Sequence, residues 1–500
     1  MLATARTFAL IGVEAREVQV EVDVGGGLPA FSLVGLPDAA VRESRERVRA
    51  ALINSGFDFP QRRITANLAP ADLRKAGPSF DLALAAALLV ATGQLHERNL
   101  ARVALVGELA LDGSIRHVPG ALAIAEAAGR LGSEAIALPA ANGSEATLAR
   151  GPRVVPLERL EQLALLHTDS EPAPPPAFEW SENGAHPADP DLADLRGQPY
   201  LRRALEVAAA GGHSLLITGP PGAGKSLAAR RLPSILPPPG GEEALEVLRI
   251  ASACGRLANG SAPPRRPFRA PHHTVSTAGL VGGGSPPRPG EVTLAHGGVL
   301  FLDELGEFSR DALEALRQPL EEGRVVLTRA RHAVELPCRF MLIAAANPCP
   351  CGHGADSQRC TCPPGSIRRY RAKLSGALAD RIDIAIAVER PSAEQMAGAP
   401  GEGSAAVRDR VAAARERQRR RLGSGACNAD MGSAETRAHV RLQGDAKAML
   451  ASGHARLGLS GRGHDRVLRL ARTVADLAGR VRVNVDDVGE ALSLRRRSEA

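Results

Sequence analysis

The chain has 500 residues, 44% of them hydrophobic and 23% charged, with a net charge of +7 and an isoelectric point near 9.3. That length suits about three domains and the apolar content suits buried cores, which excludes a disordered or fibrous chain. No run of about eighteen apolar residues occurs, and Met1-Leu2-Ala3-Thr4-Ala5-Arg6 lacks the parts of a secretory leader, so a cytoplasmic protein without a membrane span is expected.

The positive excess is modest for this length and admits an acidic partner without requiring one. Arginines cluster at 415–421 and 495–497, where solvated helix faces are as good a reading as a polyanion surface. Seven cysteines, four of them between 349 and 362, argue against a disulfide framework and for a local site.

Residues 1–167 alternate strand and helix patterns. Val18-Gln19-Val20-Glu21-Val22-Asp23-Val24 has the period of two, residues 39–55 have a helical period, and a second strand–helix pair follows at 64–68 and 80–92. Residues 103–109 lead through the hairpin signal Asp112-Gly113 into 115–118 and another helix. An α/β domain is expected. Lys75-Ala76-Gly77-Pro78-Ser79 and Gly107-Glu108-Leu109-Ala110-Leu111-Asp112-Gly113 resemble the proteolytic domain of Lon-type proteases, which implies a Lon-protease-like, ribosomal S5 domain 2-like shape and a serine–lysine dyad. Ser79 falls at the nucleophile's position, but Leu122, just after the Pro119-Gly120 turn, stands where the lysine belongs. A serine hydroxyl without a base is a weak nucleophile, so the shape is expected without peptidase activity.

Residues 168–191 turn to Pro, Glu, Ala and Ser, including Pro174-Pro175-Pro176, and read as an extended linker in which Trp180 would dock.

The next segment, 192–390, carries the chemistry. The apolar run Ser214-Leu215-Leu216-Ile217-Thr218 leads into Gly219-Pro220-Pro221-Gly222-Ala223-Gly224-Lys225-Ser226 and then a helical pattern. Glycines let backbone N–H groups turn inward around phosphate oxygens, and the helix start adds its positive dipole end. Lys225 would reach the β- and γ-phosphates and the Ser226 hydroxyl would ligate Mg²⁺, which makes this a nucleoside triphosphate cradle. The apolar strand 298–302 ends in Asp303, a second Mg²⁺ holder, and Glu304, which would polarise the attacking water. Asn347 ends another apolar strand, 340–346.

Two cysteine pairs, Cys349-x-Cys351 and Cys360-x-Cys362, follow in a Gly/Pro loop. Four thiolates suit tetrahedral Zn²⁺, with His353 as a spare ligand and reduced structural thiols as the plain alternative. Cys254, Cys338 and Cys427 read as incidental. His272 and His273 suit either a metal pair or a capped turn. The remainder, 391–500, is helical by period at 405–421, 444–451, 465–477 and 485–495.

Pro267-Phe268-Arg269-Ala270-Pro271-His272-His273-Thr274, Gly279-Leu280-Val281-Gly282-Gly283-Gly284 and Asn347-Pro348-Cys349-Pro350-Cys351-Gly352 resemble the ComM/YifB family of magnesium-chelatase-like AAA+ ATPases, over the whole chain. The resemblance implies a P-loop AAA+ α/β core and an all-α C-terminal lid. It puts Gln198 beside the adenine, Asn347 at sensor 1, Arg381 at the arginine finger acting on a neighbouring subunit, and Arg462 at sensor 2 acting within its own chain, with Arg466 in reserve. It also implies an insert before the Asp303 strand and a hairpin at 323–334, both projecting into the channel of a hexameric ring. Arg329, Arg331 and His332 at the hairpin tip suit phosphate contacts.

What the resemblance implies as function is an ATP-driven, ring-forming DNA motor, a branch-migration helicase in homologous recombination and natural transformation, with recombination proteins as possible partners. A chelatase-type motor that remodels a protein partner, and an ATP-dependent peptidase, are the other readings.

Overall fold

The computed structural model describes residues 1–178, 190–257, 265–284, 287–329, 332–354, 358–375, 378 and 381–495, with only the main chain described at 329, 332, 374 and 375. Trp180, Arg331 and Asp380 therefore lie outside the described residues.

The first 157 residues form a seven-stranded sheet. Strands β1 (Leu2–Ile11) and β2 (Glu14–Gly25) make a long antiparallel hairpin, joined by β3 (Ala30–Val34), β4 (Arg63–Ala69), β5 (Val103–Leu105), β6 (Ala135–Pro139) and β7 (Arg153–Leu157) in the order β3-β4-β2-β1-β5-β6-β7. In β2 the period-two pattern works as expected, burying Val18, Val20, Val22 and Val24 on one face. Strand β1 was not foreseen: its inward positions are Ala3, Ala5, Thr7 and Ala9, mostly alanines with weak strand preference that fit because α-helices press closely on this face.

Helices α1 (Ala39–Asn54), α2 (Asp81–Ala91) and α3 (Ala121–Arg130) cover the sheet. Every residue of α2 is buried, which places even its first residue, Asp81, inside. Burial pushes that carboxyl up, opposed by the Arg47 fork at 2.6 and 3.1 Å and the Leu109 N–H at 3.2 Å. The expected strand at 103–109 stops at Leu105, because the Gly107 main chain is bonded to Ser79 and Leu82 at the start of α2.

A five-stranded parallel sheet forms the second layer system. It comprises β8 (Leu215–Thr218), β9 (Phe268–Arg269), β10 (Val299–Leu302), β13 (Met341–Ala346) and β14 (Ile384–Ala387) in the order β9-β10-β13-β8-β14, while β11 (Arg324–Arg329) and β12 (His332–Pro337) make a separate hairpin. Its central strands β10 and β13 are continuous buried apolar runs because both faces are covered, as parallel sheets require. Helices α4 (Pro199–Gly211), α5 (Lys225–Ile235), α6 (Gly241–Ala253) and α7 (Pro364–Ser375) surround it.

The C-terminal helices α8 (Ser404–Leu422), α9 (Gly444–Leu457), α10 (Gly461–Leu477) and α11 (Val485–Ser493) share one apolar cluster with α4, α5 and β8: Leu201, Ile217 and Leu232 belong with Val411, Val467 and Val488. Part of the 415–421 arginine cluster is turned inward. Arg415 donates twice to the Ala209 carbonyl at 2.9 and 2.7 Å, and Arg421 pairs with buried Asp476 at 2.7 Å.

The two sheets meet where α3 packs on α6. Glu145 accepts from the Leu122 N–H at 3.2 Å, from Asn142 Nδ2 at 3.2 Å and from the Ser252 hydroxyl, while Arg249 forks Glu126 at 2.7 and 2.9 Å. Residues 168–178 also lie against the first sheet's domain, where the Phe178 N–H reaches Thr147 Oγ1 at 3.0 Å and Arg153 pairs with Glu171. The start of the expected linker is thus attached.

Candidate functional site

Between Thr218 at the end of β8 and Lys225 at the start of α5, the chain makes a glycine turn in which Gly222 and Gly224 both have φ of 82°. This left-handed conformation is open to glycine, and the turn leads directly into the N-terminus of α5, an end that favours an anion. Residues 221–227, Asp303, Glu304 and Asn347 line a recess of about 360 Å³ there. All stand at the carboxyl ends of β8, β10 and β13, where open parallel sheets bind ligands.

Lys225 is turned back onto the loop that carries it. Lys225 Nζ donates to the Gly219 and Pro220 carbonyls at 2.6 and 3.0 Å and to Asn347 Oδ1 at 3.1 Å. Burial lowers its pKa, with the Asp303 charge opposing. The Ser226 hydroxyl donates to Asp303 Oδ2 at 2.6 Å, so two hard oxygen donors converge, a set that suits Mg²⁺. Glu304 is left-handed at φ 51° and ψ 49°, uncommon for a residue with a Cβ, and its carboxylate is exposed beside the recess.

His273 faces that carboxylate: Nδ1 lies 3.5 Å from Glu304 Oε2. Its ring stacks on His272 at 4.0 Å and meets the edge of buried Phe308 at 6.5 Å, while His272 Nδ1 bonds Thr274 Oγ1 at 2.9 Å. His272 thus takes the capped-turn reading. Neither histidine belongs to a metal-ligand grouping among the described residues.

Gln198 Nε2 donates to the Glu389 carbonyl at 2.6 Å and the Ala223 carbonyl at 3.4 Å, tying the turn to the end of β14. It borders a second recess beside the cradle, with Leu195, Arg203 and Arg410. Arg390, which no motif signalled, donates to the Pro221 carbonyl at 2.6 Å. Only its place just past β14, one strand from the glycine turn, could have found it.

Arg381 and Arg462 are elsewhere. Both line a recess of about 770 Å³ with Ser214, Phe340 and Asp383, residues at the amino ends of β8, β13 and β14. Within one chain this is the opposite end of the strands from the cradle, so in this arrangement Arg462 stands beside Arg381 and away from its own chain's glycine turn. Arg381 is paired with Glu321, and Arg462 stands 3.8 Å from the same carboxylate. Asp383 takes different partners, His213 and Arg466, each at 3.2 Å, so Arg466 is occupied there. Burial pushes the Asp383 carboxyl up, but these partners outweigh it and leave it below its ordinary value.

Cys349, Cys351, Cys360 and Cys362 form one group whose sulfurs all lie within 4.8 Å of one another; His353 is not part of it. Cys338 is buried and its thiol is pushed up to about 12 by burial, and no cysteine is in a disulfide. At the hairpin, Arg329 and His332 form the last ladder pair before the tip; their side chains and all of Arg331 lie outside the described residues.

Three family profiles match: "Magnesium chelatase, subunit ChlI" over residues 191–396, "Subunit ChlI of Mg-chelatase" over 20–142, and "Magnesium chelatase, subunit ChlI C-terminal" over 401–495. Full-length relatives include competence protein ComM of Haemophilus influenzae, 41% identical over 99% of this chain and 97% of that protein. YifB of Escherichia coli is 42% identical over 99% and 97%. The chain belongs to the ComM/YifB family. Another relative, Rv2897c of Mycobacterium tuberculosis, is 46% identical over 99% and 98% of the two chains, and Lon protease 2 of Bacillus subtilis is 32% identical over 181 residues. As a ComM/YifB member the protein is a magnesium-chelatase-like AAA+ ATPase, for which ATP and Mg²⁺ are implied. Among the described residues, no helix of this ComM/YifB protein is long and apolar enough to cross a membrane.

Proposed function

We propose that this chain is a cytoplasmic, ring-forming ATPase motor that moves DNA strands through a central channel, as a branch-migration helicase in recombination and natural transformation. The observation that carries the ring is the separation of Arg381 and Arg462 from the cradle, at opposite ends of the strands of one sheet. A cradle without an arginine on the γ-phosphate is incomplete, and a neighbouring copy presenting its arginine edge completes it. On this reading both arginines act across the subunit boundary.

In the reaction, Lys225 leaves the Gly219, Pro220 and Asn347 oxygens to hold the β- and γ-phosphates. Ser226 and Asp303 would hold Mg²⁺, which would supply charge neutralisation at the phosphates. Asn347 and Glu304 orient the attacking water, and the neighbour's Arg381 and Arg462 take up the developing charge. Arg329, Arg331 and His332 at the hairpin tip would touch DNA phosphates, and a structural Zn²⁺ would sit at the four clustered thiols.

The DNA assignment draws on the printed name of the Haemophilus influenzae relative, a competence protein. The magnesium-chelatase profiles favour a second reading, a motor that remodels a protein partner. Fork or Holliday-junction migration by wild type and Glu304→Gln separates them: strand movement by wild type alone supports the helicase. Hydrolysis that no DNA accelerates, with no strand movement, removes it.

A further inference from the structure

We propose that the four-cysteine group is a structural Zn²⁺ site whose metal braces the catalytic loops, so that hydrolysis by the motor proposed above depends on an ion remote from the phosphates. The site's own geometry is the first argument. Four sulfurs at about 2.3 Å from one Zn²⁺, in a tetrahedron, stand about 3.8 Å apart. Here Cys349 Sγ lies 3.8 Å from Cys360 Sγ, Cys351 Sγ lies 3.7 Å from Cys360 Sγ, and Cys349 and Cys351 sulfurs are 3.3 Å apart. Main-chain N–H groups already point at two of them, Gly354 to Cys349 Sγ at 3.2 Å and Cys351 to Cys362 Sγ at 3.3 Å, the kind of donor that supports bound thiolate.

The second argument is what the loop touches. Cys349 is buried and stands two residues after Asn347, whose side chain holds Lys225. Gly352, at φ 84°, rests on the P-loop: a Cβ there would come within 2.8 Å of the Pro221 ring. Beyond Cys362 the chain enters α7, where buried Tyr370 packs on Gly306 and its hydroxyl meets the Asn347 main chain, while Lys373 Nζ donates to the Gly306 carbonyl at 2.7 Å. Gly306 is three residues past Asp303. The cysteine loop therefore contacts the phosphate turn and follows the Asn347 strand end, and the helix it leads into contacts the segment after Asp303-Glu304. Two ligands stand at 349 and 351 and two at 360 and 362, so a bound metal would reinforce the Cys351 N–H to Cys362 Sγ bond that already joins the two halves.

The experiment uses the full chain. Wild type purified without chelator should carry one Zn²⁺, and Cys360→Ser/Cys362→Ser none; Co²⁺ exchanged into wild type should give the absorption of a tetrahedral thiolate site. Loss of the metal should lower kcat for ATP on the order of 10-fold with ATP affinity retained. Gly352→Ala serves as the second variant should the double mutant not fold: it keeps all four thiols, so Zn²⁺ stays while kcat falls. Wild type that holds no Zn²⁺ and takes none up overturns the site. Zn²⁺ present, with kcat unchanged in both variants, overturns the brace. Wild type with one Zn²⁺ but no ATP hydrolysis under any condition leaves the site standing and removes the motor on which the brace rests.

Discussion

His273 Nδ1 lies 3.5 Å from Glu304 Oε2, so an imidazole stands beside the carboxylate proposed to activate water. The His273 segment continues into Leu280, which is buried with Val325, Val334 and Leu336 of the hairpin, so DNA pressing on the hairpin is expected to shift His273 against Glu304. His273→Ala should raise DNA-independent hydrolysis and shrink its stimulation by DNA, whereas His273→Asn, which keeps a donor near the Nδ1 position, should retain stimulation. Steady-state rates with and without DNA check this. Equal stimulation in wild type and His273→Ala refutes it.

Lys225→Ala should abolish nucleotide binding, because its ammonium is the cation inside the cradle. Glu304→Gln should bind ATP with near-normal affinity yet hydrolyse it about 10² to 10⁴ times more slowly. Fluorescent-nucleotide titration and phosphate release distinguish the two.

Arg381→Ala and Lys225→Ala should each be inactive alone, yet regain part of the activity when mixed, since one copy keeps its cradle and the other its arginines. Arg462→Ala should behave like Arg381→Ala. No recovery across all mixing ratios, with oligomers formed, returns these arginines to a role within their own chain.

Glu243 accepts a fork from Arg266 at 2.6 and 2.8 Å, anchoring the start of α6 below β9. Burial pushes this carboxyl up, but Arg266 outweighs it and holds it below its ordinary 4.5. A depressed folded value means the pair stabilises fully above about 4.5 and loses its contribution as pH falls through the folded value. Glu243→Gln should cost about 2 kcal/mol at pH 7. That gap to wild type should narrow in chemical unfolding near pH 4.

Much of the site was legible because its signals are local. A glycine turn between an apolar strand and a helix, and a strand ending in Asp303-Glu304, each fix chemistry within a few residues, and both were found. Contacts made across the fold left no such trace. Arg390 reaches Pro221 only because β14 lies beside β8, and Tyr370 reaches Gly306 only through a packed helix. The place of Arg462 beside Arg381 was not legible because sequence puts it on a helix without saying which end of the strands that helix covers. Similarly, β1 was missed since its inward alanines carry little pattern, while the alternating valines of β2 announced it.

The nucleotide recess and the arginine recess occupy two unlike faces of the same molecule. Copies joined through such faces meet head to tail, so every junction leaves one unused face at each end of the stack. Only closure on itself removes both ends, and an interrupted circle carries one idle cradle however many members it has. Dilution should therefore extinguish turnover more steeply than in proportion to the protein present.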